Sequence, residues 1–420
     1  MPNPVNETAL EVPVIAILPF ALLLLCIAAL PLAMPHFWDQ NRNKGIVAAI
    51  VSLPIAAWLI AKGPAALGHS AIEYVSFICL LGSLFVVAGG IHVAGDLRAT
   101  PRVNVFLLLI GALLASVIGT TGASMVLIRL VLRTNSERRN TSHLPFFFIL
   151  LVSNCGGLLT PLGDPPLFLG YLRGVPFLWT FRLFPIWFLA IAYLLGVFYF
   201  VDRRAYAAEN KKDLEFDEAN QVKVRIIGKR NLLFLVGIVG AVFLPLPYRE
   251  LGMLALASLS LFFGGREGRK LNEFSFGPIA EVAILFAGIF VTMVPALELL
   301  REHGKSLGLV APWQYFLSTG ALSSVLDNAP TYLTFLSAAQ GLGLPAEVVG
   351  VPAIHLIAIS AGAVLMGANT YIGNGPNFMV KAIADSAGYA TDNFLAYAGK
   401  AILTLMPVYV AIVAYLLIAS

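Results

Sequence analysis

Charge is scarce in this chain. Of its 420 residues, 12% are Asp, Glu, Lys or Arg and 59% are hydrophobic, whereas a soluble domain carries roughly 25% charged and 45–50% apolar residues. That imbalance excludes a soluble globular protein and, with a mean hydropathy of +0.85, points to a polytopic membrane protein. Cysteine is nearly missing too. Cys26, Cys79 and Cys155 all lie in apolar stretches without metal-ligand spacing, so neither a disulfide framework nor a zinc site is implied and packing roles are expected. There is no Gly-x-x-x-x-Gly-Lys-Ser/Thr loop, which argues against ATP-driven transport within this chain. A basic tail is also lacking. The net charge of +4 is spread over loops, where it bears on membrane orientation and gives no sign of a nucleic-acid partner.

What is present in quantity is long apolar runs, among them 14–32, 183–201, 280–299 and 401–417. These approach or reach the roughly 20 residues that span a bilayer as helix. An outer-membrane barrel would instead show segments of about ten residues alternating in polarity, so the fold expected is all-α and membrane-spanning. The first run is too long for a signal-peptide core and has no basic residue before it, as in a retained first helix. Asn6-Glu7-Thr8 matches a glycosylation sequon, a pattern common by chance.

Reading the runs between charged punctuation gives spans near 13–34, 45–62, 73–95, 145–172 and 183–201, then 231–246, 250–264, 277–300, 350–383 and 398–418. Two further stretches, 103–132 and 312–340, are broken midway by Gly119-Thr-Thr-Gly-Ala-Ser124 and Ser323-Ser-Val-Leu-Asp-Asn-Ala-Pro-Thr331. Each is too short for two crossings and is expected to be a re-entrant helical hairpin. Residues 1–201 and 231–420 then each hold five crossings and one hairpin, around a 202–230 connector rich in charge. An odd number of crossings turns the second half upside down, so two inverted repeats are expected. Lys and Arg supply a test, because they concentrate in cytoplasmic loops. Eighteen of the 27 fall in loops assigned to the inside, six outside, and Arg129, Lys381 and Lys400 are ambiguous. Both termini are therefore expected outside and the connector inside, as a solvated hinge.

A short polar sequence is written twice. Asn154-Cys-Gly-Gly-Leu-Leu-Thr160-Pro-Leu-Gly163-Asp164-Pro-Pro-Leu-Phe168 and Asn369-Thr370-Tyr-Ile-Gly373-Asn374-Gly-Pro376-Asn377-Phe378 place Thr160 on Thr370, Gly163 on Gly373, Asp164 on Asn374, Pro166 on Pro376 and Phe168 on Phe378 at an offset of 210, half the chain. The hairpin tips also pair, Thr121 with Asn328 at an offset of 207. Helix breaks at membrane depth are tolerated where they are buried in protein or line a cavity, and matched pairs of them mark the binding sites of secondary transporters. Hydroxyls of Thr121, Ser124, Thr160, Thr331 and Thr370, with amides of Asn154, Asn328, Asn369, Asn374 and Asn377, suit a hard cation. Asp164 and Asp327 are the sharpest candidates, because a charge at the bilayer centre costs roughly 2.5–3.5 kcal/mol on insertion scales. Their bland alternative is to brace the hairpins through backbone amides. Burial raises a carboxylate's pKa and a bound cation lowers it again, so one acid can exchange H⁺ for Na⁺ by competition. His92, His355 and Glu281 are expected in structural or interfacial roles, and Arg129 is expected to snorkel to the headgroups.

With these residues in view, the chain resembles the ion transporter superfamily, near the bacterial sodium:proton antiporters and the citrate transporters. Thr160-Pro-Leu-Gly-Asp164 is similar to the Thr-Pro-Ile-Gly-Asp of NhaD-type antiporters, and Leu326-Asp-Asn-Ala-Pro330 to their Val-Asp-Asn-Val-Pro. Gly163-Asp-Pro-Pro166 also resembles arsenite-pump and P-protein relatives. The resemblance implies a bacterial inner membrane, a homodimer, and an elevator-like motion of hairpins and broken spans against a scaffold. It makes Asp164 and Asp327 the carriers of Na⁺ and protons, with Na⁺ or H⁺ as coupling ions and no other cofactor. The first hairpin departs from the pattern, lacking both an acid and the Ser-Asn-Thr of dicarboxylate symporters.

Cation/proton antiport is the first expectation. Na⁺- or H⁺-coupled uptake of an organic anion such as citrate is the second, and arsenite or oxyanion efflux the third. An intramembrane enzyme or a scaffold would not need matched helix breaks.

Overall fold

The computed structural model describes residues 12–419; the Asn6 sequon lies outside them. Nineteen α-helices account for most of these residues, with a single two-stranded sheet. Among the described residues, seven helical stretches are long and apolar enough to cross a membrane, including Pro64–Gly89, Pro101–Ile118, Gly277–Leu307 and Phe394–Ala419. The chain is an all-α, multi-pass membrane protein.

Both expected hairpins form as helix pairs. Pro101–Ile118 turns at Gly119 into Thr120–Thr134, and Pro312–Ser323 turns through 324–327 into Asn328–Gln340. Gly119 makes the first turn at φ +80°, a conformation that disfavours a β-carbon. The second halves of the hairpins start at Thr120 and Asn328, an offset of 208. The pairing is thus Thr120 with Asn328, one residue from the 207 read in the sequence, where a five-residue motif gives too little to fix a register.

The spans 145–172 and 350–383 are both broken. His143–Leu151 stops, a 3-10 turn Cys155–Leu159 follows, and the helix resumes at Pro165–Leu172. Likewise Ala353–Met366 gives way to Gly367–Asn369 and resumes at Gly375–Ser386. Proline at the first turn of each resumed helix starts it where no amide is needed. The two breaks fold alike: the Thr160 hydroxyl donates to Ser116 O and the Thr370 hydroxyl to Ser324 O, while Ser116 Oγ donates to Gly156 O and Ser324 Oγ to Met366 O.

Three boundaries differ from expectation. The span read as 73–95 begins at Pro64 and ends at Gly89, and His92–Asp96 is a strand. The span read as 231–246 is a helix only over Arg230–Ala241, roughly 18 Å at 1.5 Å per residue, because Pro245 and Pro247 cannot continue it. The connector is also no free hinge. Its helix Lys211–Ala219 and strand Val222–Ile227 follow the end of Phe184–Ala207, and the strand pairs antiparallel with His92–Asp96. Asp217 accepts from the Ala99 amide, and Glu209 accepts from the amides of Arg139 and Asn140. Beneath them Arg138 meets Asp202 at 2.6 Å with neither side chain exposed, and Asn104 and His143 complete that carboxylate's partners.

The hairpins and broken helices interlock across the halves: Thr120–Thr134 packs on Gly375–Ser386, and Asn328–Gln340 on Pro165–Leu172. Helices Asn41–Lys62, Pro64–Gly89, Arg230–Ala241, Tyr248–Phe263 and Gly277–His303 form the adjoining bundle. One continuous apolar core runs through both groups.

Candidate functional site

Four helix N-termini meet at the centre. Gly119, Asp164, Asp327 and Asn374 are the N-cap residues of the two hairpins' second helices and of the two resumed helices. Each end directs the positive pole of its dipole inward, a setting that favours negative charge, although Pro165-Pro166, Pro330 and Pro376 leave few free amides there. Asp164, 1% exposed, stands among these ends. Its Oδ1 accepts from Thr120 Oγ1 at 2.9 Å and Asn374 Nδ2 at 3.1 Å, and its Oδ2 accepts from Asn328 Nδ2 at 2.5 Å. These donors come from three different elements, two of them in the second half of the chain. Burial disfavours the charged carboxylate and the three neutral donors favour it.

Asp327 is half-buried and caps its helix, its Oδ1 accepting from the Ala329 amide at 3.0 Å. The bracing role weighed for the acids is therefore real at Asp327, and it leaves the second carboxylate oxygen open.

Beside these groups lies a cavity of about 100 Å³. One wall is apolar, from Phe77, Leu80 and Leu84 on one bundle helix and Ile279, Val282 and Phe286 on another. The other wall is made of the helix breaks, including Thr120, Thr121, Asp164, Asp327 and Asn374. Among the described residues no Lys, Arg or His lines it. A guest would thus sit between a smooth apolar surface and a polar one, at the boundary of the two helix groups.

The remaining sequence-selected residues stand behind this wall. Asn154 donates to Ile149 O and Asn377 Oδ1 and accepts from Asn374 Nδ2. Asn377 donates to Gly367 O and Thr370 O. Ser124 pairs with Ser153, Thr331 bonds back to Asp327 O, and Asn369 lies between Ser324 and the Tyr409 hydroxyl. Thr160 and Thr370 hold the two breaks, as above. Of the twelve residues, Thr121, Asp164, Asp327 and Asn374 line the cavity, Asn328 touches Asp164 directly, and seven support them. Thr120 was overlooked although it lines the cavity and binds Asp164; its signal was the first-turn position after Gly119, visible only once the helix start is fixed.

The other polar groups are accounted for. His355 Nε2 bonds Val310 O, whereas His92 bonds the Asn272 side chain in place of backbone. Glu281 pairs with Lys44 at 2.7 Å. Arg129 reaches Glu273 at 3.3 Å, so a protein carboxylate receives the side chain expected to snorkel. All three cysteines are free, and Cys155 is fully buried beneath the first break.

A family model described as "Putative citrate transport" matches residues 9–417, nearly the whole chain. No curated protein matches the chain. The chain belongs to that transport family.

Proposed function

We propose that this member of the citrate transport family is a secondary active transporter that exchanges Na⁺ for H⁺ at Asp164 and Asp327. The observation that carries this reading is the cavity itself, lined by two carboxylates and, among the described residues, by no basic side chain. A cation entering it meets Asp164 already oriented by three donors and Asp327 with an open oxygen. When the cation leaves, a proton neutralises Asp164, and the buried carboxylate is no longer charged in a low-dielectric site. Cation and proton thus compete for one acid, which couples two fluxes without an ATP-binding loop. Hydroxyls at Thr120 and Thr121 suit a hard monovalent ion. Movement of the hairpins and broken helices along the apolar wall, within a homodimer in a bacterial inner membrane, would carry the site between the two sides.

A second reading is cation-coupled uptake of an organic anion such as citrate. Two observations favour it: the family match, and the positive poles of four helix N-termini directed at a cavity that also holds the Thr121 hydroxyl. In that reading cations bound at the two acids cancel their repulsion of the substrate.

Purified protein in liposomes with a trapped pH dye and an acidic interior separates the two. Lumenal alkalinisation on adding Na⁺ or Li⁺ supports exchange. Silence toward cations combined with Na⁺- or H⁺-dependent uptake of labelled citrate replaces exchange with symport.

A further inference from the structure

We propose that the second hairpin and the broken helix beside it hold a hydrated proton path, running from the face opposite the connector down to Asp164. This inference rests on the exchange reading above, whose proton must reach a carboxylate buried at the centre.

Among the described residues, five side chains of this region have buried polar atoms outside any well-formed hydrogen bond: His355 Nδ1, Tyr315 OH, Thr319 Oγ1, Asn328 Oδ1, and Ser360 Oγ, which faces the Tyr332 hydroxyl. All are at most 5% exposed. A buried polar atom left unpaired costs roughly 1–3 kcal/mol, and such atoms in native proteins are ordinarily satisfied by internal water. Five in three packed helices therefore call for one shared explanation.

Their order follows from the packing. Pro312–Ser323 and Ala353–Met366 run parallel, since His355 bonds Val310 O near their starts, and Ser323 and Ser324 bond Ala363 O and Met366 O near their ends. Eleven residues from 355 to 366 advance about 17 Å at 1.5 Å per residue. His355 stands at the top, where Val310 is 58% exposed, and its ring meets that of Tyr315 edge-on with centroids 5.4 Å apart. Thr319 lies one turn below Tyr315, Ser360 sits between the ends of its helix, and Asn328 lies at the bottom, bonded to Asp164. Because Val310 O can only accept, His355 Nε2 carries hydrogen and Nδ1 of the neutral ring is an acceptor. Each hydroxyl can accept one proton and release another, so water held by these atoms relays a proton without ionising them.

The column is a property of one half of the chain. At offsets of 208 and 210, the positions matching Tyr315, Thr319, His355 and Ser360 are Leu107, Gly111, Pro145 and Leu150. The fold therefore does not demand the polar atoms; this half alone has them. In the balanced step, H⁺ from water at the His355 face ends on a carboxylate oxygen of Asp164 while the bound cation departs.

Radiolytic hydroxyl-radical labelling of the reconstituted protein tests for the water without relying on transport. Tyr397, 1% exposed with its hydroxyl on Ala368 O, is the dry reference, and Tyr248, 64% exposed, the wet one. Tyr315 is expected to be modified at least five-fold more than Tyr397; modification equal to Tyr397 overturns the proposal. A Tyr315→Phe/Thr319→Val/Ser360→Ala variant should then slow proton uptake from that face at least ten-fold while Na⁺ binding holds. A labelled Tyr315 with an unchanged uptake rate also overturns the path. If wild type moves no protons at all, the exchange reading fails with it, whereas a dry Tyr315 in a protein that does exchange protons removes the path alone.

Discussion

Replacing Asp164 with Asn should abolish Na⁺-dependent behaviour while leaving the fold at least as stable. Asp164 accepts three hydrogen bonds, and a bond to a charged group contributes about 1.5–3 kcal/mol against about 0.5–1.5 for a neutral one. Asn can keep its oxygen toward Thr120 and Asn374. Its new amino group would face the Asn328 amino group, but Asn328 Oδ1 has no partner, so turning that amide over restores the third bond. The variant loses about 2–4 kcal/mol of charge-assisted bonding and is spared the several kcal/mol that burying one ion costs. Net stability in detergent should be unchanged or higher. The cation linkage disappears, however. Wild type at a Na⁺ concentration 100-fold above Kd gains about 2.7 kcal/mol from binding, read as a rise in melting temperature over choline at matched ionic strength. Asp164→Asn should melt at one temperature in both salts and show no exchange in liposomes. Sodium-dependent stabilisation surviving in the variant would refute the assignment of the cation to Asp164.

The two breaks should share a steric requirement: a β-carbon at Gly163 would collide with Gly157 O, and one at Gly373 would come within 2.6 Å of Gly367 O. Gly163→Ala and Gly373→Ala are each expected to lose about 1–3 kcal/mol, whereas Gly399→Ala, with open space around it in a helix, should gain up to about 1 kcal/mol; thermal melts would show the contrast. Arg138→Met leaves Asp202 buried without its main charge partner, and should cost about 3–5 kcal/mol and expose the connector to trypsin. Adding Asp202→Asn should restore most of that loss, and no recovery would mean that the pair does not act as a unit. For topology, Glu215→Cys in the connector and Ser306→Cys after Gly277–His303, both exposed positions, should react with a membrane-impermeant maleimide from opposite sides. Labelling of both from one side would contradict the inverted arrangement expected of the two halves.

Composition and periodic punctuation determined the class of this protein and located the two hairpin turns and the two broken spans. That part was legible because membrane insertion is decided locally: about 20 apolar residues suffice, and a Gly, Pro or Asp within them stands out whatever the rest of the chain does. Asp164 and Asn374 were visible for the same reason, as polar residues repeated at an offset of 210.

Tertiary structure decided what those residues touch. That Asn328 and Thr120 hold Asp164, while Asn154, Asn369 and Asn377 brace the wall from behind, depends on how hairpins and broken helices pack both within and across the halves. No local pattern records such contacts, which join residues 44 positions apart at Thr120–Asp164, 164 apart at Asn328–Asp164 and 223 apart at Asn154–Asn377. The strand Val222–Ile227 was illegible too, because a sequence that alternates charged and apolar residues in a connector becomes a strand only when a partner edge, here His92–Asp96, is brought beside it to take its backbone hydrogen bonds.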